Sequence, residues 1–311
     1  MPEGFNYAIR YAKNIERKLL CDMLARLSAF APLNEYRYLG FGSIWFVDFR
    51  LFHTRLGIRS MISMEDTIPI DRCTWNRPFN CIEVVEGNSG ELLPNLSHDQ
   101  RTVAWLDYTD ALTVGVLDDV DTLTSSMLSG GAILVTVRCK PSGISRETIG
   151  RVEYMRASFG AFVPMALADE DVADAPGICS AYRDILCACA NEAARRKTDA
   201  TGVARNVRQF ALFFYKDGMP MCTWGAVIVD GADNALFDLC NFSNFEFSRE
   251  GRAPFRILPP MLTGKEKRAL DQALPLDDQA RLDGIPLTPA AVAEYKKMYR
   301  HYPSFAETFG A

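Results

Sequence analysis

Residues 132–137 read AILVTV, an almost wholly apolar run of strand length. A strand that is apolar on both faces must be covered on both, which points to a largely parallel sheet between two layers of helices. Four further strand candidates precede it: EYRYLGFG from residue 35, SMISME at 60–65, CIEVVEG at 81–87 and TVAWLDY at 102–108. Helical patterns separate them. SIWFVDFRLFHTRLG at 43–57 is apolar at helical spacing and is closed by Gly57, a short helix is expected near 89–96, and residues 111–128 form another that Gly130 and Gly131 end. Strands alternating with helices predict an α/β fold with a Rossmann-like, doubly wound sheet.

The flanks read differently. Residues 6–30 place Ile9, Ala12, Ile15, Leu19, Met23 and Leu27 at spacings of three or four, an amphipathic helix whose other face carries Arg10, Lys13, Arg17 and Lys18. After the fifth strand come about 70 residues, expected to be helical at 145–158 and 178–197 with the acidic Asp169, Glu170 and Asp171 between them, which read as an insertion or cap. RQFALFFYKDGMPMCTWGAVIVD at 208–230 is the clearest hairpin, turning at Asp217 and Gly218 so that the mainly parallel sheet ends antiparallel. Gly251, Pro254, Pro259 and Pro260 then mark loops before short helices at 263–274 and 289–300. The expected organisation is an N-terminal helical segment (1–34), a central domain (35–250) with a helical insertion at about 140–207, and a helical C-terminal extension (251–311).

With 48% apolar and 23% charged residues and a net charge of −5, the chain is neither a disordered polymer nor a globally basic coat for nucleic acid. No stretch reaches the ~18–20 uninterrupted apolar residues of a membrane span, and the first twenty residues lack the apolar core of a secretion signal. A cytoplasmic, non-membrane protein is expected. The nine cysteines include no CxxC pair, so reduced core thiols are expected and no metal site; Cys187 and Cys189, two apart on a helix, point to different faces. Of the three histidines, His53 reads as a packed or surface helix residue rather than a base, while Tyr299, His301 and Tyr302 read as an aromatic cluster that docks the tail, with a substrate lid as the alternative.

The element order and the residues at the strand ends together resemble the class I S-adenosylmethionine-dependent methyltransferases. YLGFGS at 38–43 is similar to that family's first motif: Gly40 and Gly42 match its glycines and Ser43 follows them, although Tyr38 stands where the family has an acid and Ile44 where it has a third glycine. Glu65, 25 residues past Gly40 at the end of the second strand, matches the acid that accepts the ribose hydroxyls. Asn88 in EGNSGELLP falls in the adenine-contacting segment, where its amide would accept from the adenine amino group. Asp107 and Tyr108 in LDYTD fall in the fourth motif, beside the methyl group and acceptor. The likeness spans roughly 35–140 and returns at the hairpin. It implies S-adenosylmethionine as cofactor, Gly40, Gly42, Ser43, Glu65 and Asn88 as its binding residues, and Asp107 and Tyr108 as catalytic residues. Asp48 is near enough in sequence to replace the missing first-motif acid.

The acceptor is less legible. LDYT replaces the NPPY-like sequence of amino-methylating DNA enzymes, and no proline–cysteine nucleophile for cytosine is present. Basic residues at 194–197, at Arg205 and Arg208, and in FSREGRAPFR at 247–256 keep a nucleic-acid acceptor open beside an anionic small molecule. Two other classes stand beside the enzyme: a non-catalytic methyltransferase-like scaffold binding a nucleotide or a protein partner, and a nicotinamide oxidoreductase, which the terminal hairpin opposes.

Overall fold

The computed structural model describes residues 10–140, 150–197, 203–276 and 278–304. Eight strands form one sheet: β1 (Arg37–Gly40), β2 (Ser60–Glu65), β3 (Ile82–Glu86), β4 (Thr102–Asp107), β5 (Ala132–Arg138), β6 (Asn206–Asp217), β7 (Met219–Val229) and β8 (Phe255–Ile257). Their spatial order is β3-β2-β1-β4-β5-β7-β6-β8. Strands β1 to β5 pair in parallel, while β7 runs antiparallel between β5 and β6. This is the doubly wound, mainly parallel sheet with a terminal hairpin that the apolar runs predict.

The alternation along each central strand accounts for those runs. Ala132 and Leu134 of β5 face one apolar cluster, Ile133, Val135 and Val137 the other, and on β4 Trp105 faces the first while Ala104 and Leu106 face the second. One face is covered by α1 (Tyr11–Leu24) and α2 (Val47–Leu56), the other by α5 (Val114–Ser126) and α7 (Ala175–Arg195). Between them in sequence lie α3 (Ile70–Asn76), α4 (Ser89–Leu92) and α6 (Arg151–Phe159).

Two segments differ from expectation. The stretch after β5 does not stand off as a cap: α7 sends Ile178, Cys179, Tyr182, Ile185, Leu186 and Cys189 into the second cluster, so it is a layer of the sandwich. A stripe at that spacing has to be buried, which the sequence alone left without a destination. The start of the helix expected at 145–158 lies outside the described residues; α6 occupies the rest. The acidic trio is largely structural, because Asp169 accepts from the backbone N–H of Val152 at 2.9 Å and Asp171 from that of Ala168 at 3.0 Å.

The C-terminal region also contributes more than helices. β8 extends the sheet beside β6, and it precedes α8's successors in the chain: α8 (Asn234–Leu239) lies before it, and α9 (Gly264–Ala273), α10 (Gln279–Asp283) and α11 (Pro289–Met298) follow. Leu270, Tyr295, Met298 and Tyr302 join the same cluster as Ile15 and Leu19 of α1, so first and last segments share one layer. The tail docks as its aromatic residues suggest. Tyr302 packs edge-on against Tyr11 at 5.5 Å and donates to the Pro260 carbonyl at 2.6 Å, and His301 meets Asp22 at 2.7 Å. No described helix is long and apolar enough to cross a membrane.

The hairpin tip does a second job. The first N–H groups of a helix need acceptors, and Arg10 at the N-cap of α1 provides none. Asp217 supplies them across 204 residues of sequence, accepting from the backbone N–H of Ala12 at 3.0 Å and of Lys13 at 2.8 Å. Replacing Asp217 by Ala is expected to lower the unfolding free energy by about 1–2 kcal/mol, the usual value of a lost cap, as measured by urea denaturation.

Candidate active site

In a doubly wound sheet the crevice forms at the carboxyl ends of the strands, where the chain order reverses. Here that point lies between β1 and β4. A cavity of about 410 Å³ opens there, lined by Phe41, Met64, Glu65, Asn88, Ser89, Asp107 and Tyr108 among others. A smaller one of about 50 Å³ adjoins it, sharing Phe41, Asp107 and Tyr108 and adding Arg10, Lys13, Arg17, Gly42, Ser43 and Asp48. The fold thus brings together Gly42, Ser43, Glu65, Asn88, Asp107 and Tyr108. Gly40, at the end of β1, lies just behind this group rather than on the walls.

The glycines of the first turn answer to their neighbours. A Cβ on Gly42 would sit 2.5 Å from the Ser63 hydroxyl and 2.7 Å from the Phe46 ring, and the Gly42 N–H donates to that hydroxyl at 3.0 Å. Tyr38, in the place of the expected acid, donates its phenol to Asp48 in the first turn of α2. A carboxylate therefore does reach the small cavity, from position 48. Burial holds the Asp48 carboxyl above its ordinary range, with the nearby Arg17 guanidinium opposing.

Glu65 is 5% exposed. Its Oε1 accepts from the backbone N–H of Thr67 at 3.0 Å and of Ile68 at 3.1 Å, fixing the turn after β2, and Oε2 accepts only weakly from the Cys73 thiol at 3.9 Å. Asn88 caps α4: its side-chain oxygen accepts from the Glu91 N–H at 3.1 Å. That oxygen keeps one lone pair, and the amide NH₂ is also directed to the side of the cavity that Asn88 lines. Tyr108 and Ser89 both donate to Asp119 of α5. Burial pushes the Tyr108 phenol well up, reinforced by the Asp119 charge, so Tyr108 is a neutral wall of the cavity and not a base. Its ring stands edge-on to Phe41 at 5.3 Å.

Asp107 belongs to a buried network. The Lys13 ammonium donates to Asp107 Oδ1 at 2.8 Å, lies 2.8 Å from Glu16 Oε2, and sits 4.5 Å above the centre of the Trp105 ring. Glu16 accepts from the Thr223 hydroxyl, Thr223 meets Thr136 at 2.7 Å, and the Trp105 indole N–H donates to Thr136 at 2.9 Å. Glu16 is 0% and Lys13 2% exposed. Burial raises the Glu16 carboxyl, the Lys13 charge opposing it.

Sequence reasoning missed this role of α1, having placed its basic residues on the outer face of an amphipathic helix. The available signal is their spacing: Arg10, Lys13 and Arg17, three and four apart, share a single stripe. His53 is packed as expected, its Nδ1 2.8 Å from the Ile58 carbonyl. Cys187 and Cys189 diverge, toward Gln209 and the Leu117 carbonyl. Cys139, Cys179 and Cys222 converge to within 4.8 Å from three separate elements, which no local spacing announces, and burial pushes all three thiols far up.

Four of the dispersed arginines are paired locally. Arg196 pairs with Asp121, Arg205 with Asp230, Arg208 with Asp238 and Arg252 with Asp184, each a local ion pair. In FSREGRAPFR the aromatic rings that would stack on bases, Phe247 and Phe255, are buried in the core.

Asp119 gives a pH prediction. Burial raises its carboxyl, with the Ser89 and Tyr108 hydrogen bonds opposing. A raised acid binds its proton more tightly folded than unfolded, so its contribution to stability is present at acid pH and is lost as pH rises above about 4 and through the folded value. The Asp119→Asn variant should therefore lose less stability than the wild type between pH 4 and pH 7, measured by urea unfolding; parallel curves would contradict this.

The chain belongs to the family described as "Putative O-methyltransferase", whose model matches residues 5–310. No curated protein matches it. Among solved structures it is similar to LepI in complex with S-adenosylhomocysteine and a substrate analogue, at 13% identity and a TM-score of 0.36, over 62% of this chain and 43% of that one. It is also similar to human N-acetylserotonin methyltransferase in complex with S-adenosylmethionine (12% identity, TM-score 0.35, 69% and 55% covered) and to spermidine synthase from Thermotoga maritima (11%, 0.37, 90% and 74%). The chain spans less than half the length of LepI.

Proposed function

We propose that this chain is an S-adenosylmethionine-dependent O-methyltransferase acting on a small-molecule acceptor. The observation that carries the reading is the crevice between β1 and β4, where Glu65, Asn88, Asp107 and Tyr108 surround one cavity and the Gly42–Ser43 turn and Asp48 border its narrower continuation. Family membership supplies the reaction class.

In this reading the larger cavity takes the adenosine. Glu65 Oε2 exchanges its weak thiol contact for a ribose hydroxyl, while Oε1 keeps the turn fixed. The Asn88 NH₂ donates to a ring nitrogen of adenine, and Phe41 and Tyr108 flank the base. The amino-acid end extends past Gly42 and Ser43, where the Asp48 carboxylate meets the ammonium, replacing the acid that Tyr38 displaced. The bound cofactor supplies an electrophilic methyl group. What the protein contributes is position: a donor and an acceptor held at near-attack distance account for several kcal/mol of the barrier without covalent chemistry by the enzyme. Asp107, clamped by Lys13, borders both cavities and so marks the junction of donor and acceptor. The local pairing of the surface arginines favours a small molecule over nucleic acid.

The first test is isothermal titration with S-adenosylmethionine, S-adenosylhomocysteine and NAD. Binding of the first two alone is expected; binding of none in a folded sample would return the chain to the non-catalytic scaffold. Glu65→Ala should weaken binding of S-adenosylhomocysteine by ~1–3 kcal/mol, the cost of lost ribose bonds. Asp107→Asn should reduce turnover more than it reduces that binding, and equal activity would remove Asp107 from the catalytic residues.

A further inference from the structure

Resting on the methyltransferase reading above, we infer that Asp119 is a positioning residue for the adenine base: from behind the cavity wall it turns two hydroxyl groups into pure hydrogen-bond acceptors, so that the site takes a 6-aminopurine and refuses a 6-oxopurine. Asp119 belongs to α5, is 4% exposed and lines neither cavity. Ser89 and Tyr108 do line the larger one, and they come from different elements, the first turn of α4 and the segment after β4. They converge on one carboxyl oxygen. Ser89 Oγ and Tyr108 Oη each donate to Asp119 Oδ2 at 2.5 Å, while the two hydroxyl oxygens lie 3.4 Å apart.

The direction of the hydrogens follows from that convergence. Each hydroxyl carries one hydrogen and an ionised carboxyl carries none, so Asp119 only accepts. A charge-assisted bond to a carboxylate outweighs a long contact between two neutral hydroxyls, and both hydrogens therefore turn to Oδ2. Burial raises the Asp119 carboxyl, and the two donated bonds oppose that rise by favouring its charged form. What each hydroxyl oxygen keeps for a molecule in the cavity is its lone pairs. A bound base has to bring a donor to them. The exocyclic amino group of adenine is such a donor, and beside it N1 is a ring acceptor for the NH₂ of Asn88, which lines the same cavity. A 6-oxopurine reverses both groups: its carbonyl oxygen meets lone pairs, and its N1–H meets the amide hydrogens. Desolvated polar groups left without partners make that exchange unfavourable.

The test is calorimetric titration of the full chain with S-adenosylhomocysteine and with S-inosylhomocysteine, which differ only in the 6-amino against the 6-oxo group and the proton on N1. The wild type should bind the adenine compound at least about tenfold tighter. In Asp119→Asn the new amide donates to one of the two hydroxyls, which then turns its own hydrogen to the cavity, and the ratio of the two affinities should fall at least about fivefold. A carboxylate that only held the wall in shape would weaken both compounds alike and leave the ratio unmoved. Ser89→Ala and Tyr108→Phe each remove one acceptor oxygen and take the place of Asp119→Asn if that variant fails to fold; at least one of them should weaken the adenine compound while sparing the inosine compound. Equal binding of the two compounds by the wild type, or a ratio unchanged in every folded variant, would overturn the inference. Failure of S-adenosylhomocysteine to bind the wild type at all is a separate result, which overturns the cofactor assignment beneath it.

Discussion

A lysine and a glutamate with almost no exposure to water, Lys13 and Glu16, lie between α1 and the ends of the central strands. Neither is tolerable there alone, since an unpaired charge in the interior costs several kcal/mol. Together with Asp107, Thr223 and the Trp105 ring they neutralise one another, and in doing so fix the helix to the sheet at one rotation and one height. Arg10 and Arg17, on the same stripe of that helix, line the smaller cavity beside Lys13. Apolar packing of Ile15, Leu19 and Met23 makes the helix stick; the ions decide where.

The sheet was largely legible because its information is local and periodic. AILVTV and TVAWLD bury both faces, and a strand flanked by helices on either side has few alternatives. The candidate site was legible at the strand ends, since Glu65 and Asp107 close β2 and β4, Asn88 and Tyr108 follow β3 and β4, and the sheet's geometry gathers all four around one cavity. Legibility stopped where the deciding contact is remote. Nothing near Lys13 in sequence announces Asp107, and nothing near Asp217 announces the start of α1. Atomic detail lies beyond residue type as well: Asn88 Oδ1 caps a helix, and the Tyr108 hydroxyl is tied to a buried acid.

Tyr38 stands where the resembled family's first motif has an acid, and in the proposed reading Asp48 takes that acid's part. The phenol is too long to stand where a carboxylate would, and it fills the space beneath Gly40. It then holds Asp48, brought round by one turn of α2, at the edge of the cavity. The rings of Phe49 and Phe52, edge-on to Tyr38 at 4.7 and 4.9 Å, keep that phenol aimed.

The cap that Asp217 places on α1 also sets an order of events in the life of the chain. A ribosome adds roughly 5–20 residues per second, so the first helix emerges roughly 10–40 s before the residue that terminates its open end. Throughout that interval α1 lacks the β6–β7 hairpin, which carries both its cap and the Thr223 hydroxyl that meets Glu16. The larger cavity between β1 and β4 has all its lining residues in place by position 110. Translation therefore delivers the walls of the larger cavity before the contacts that seat α1, and that helix is the segment a chaperone would meet exposed.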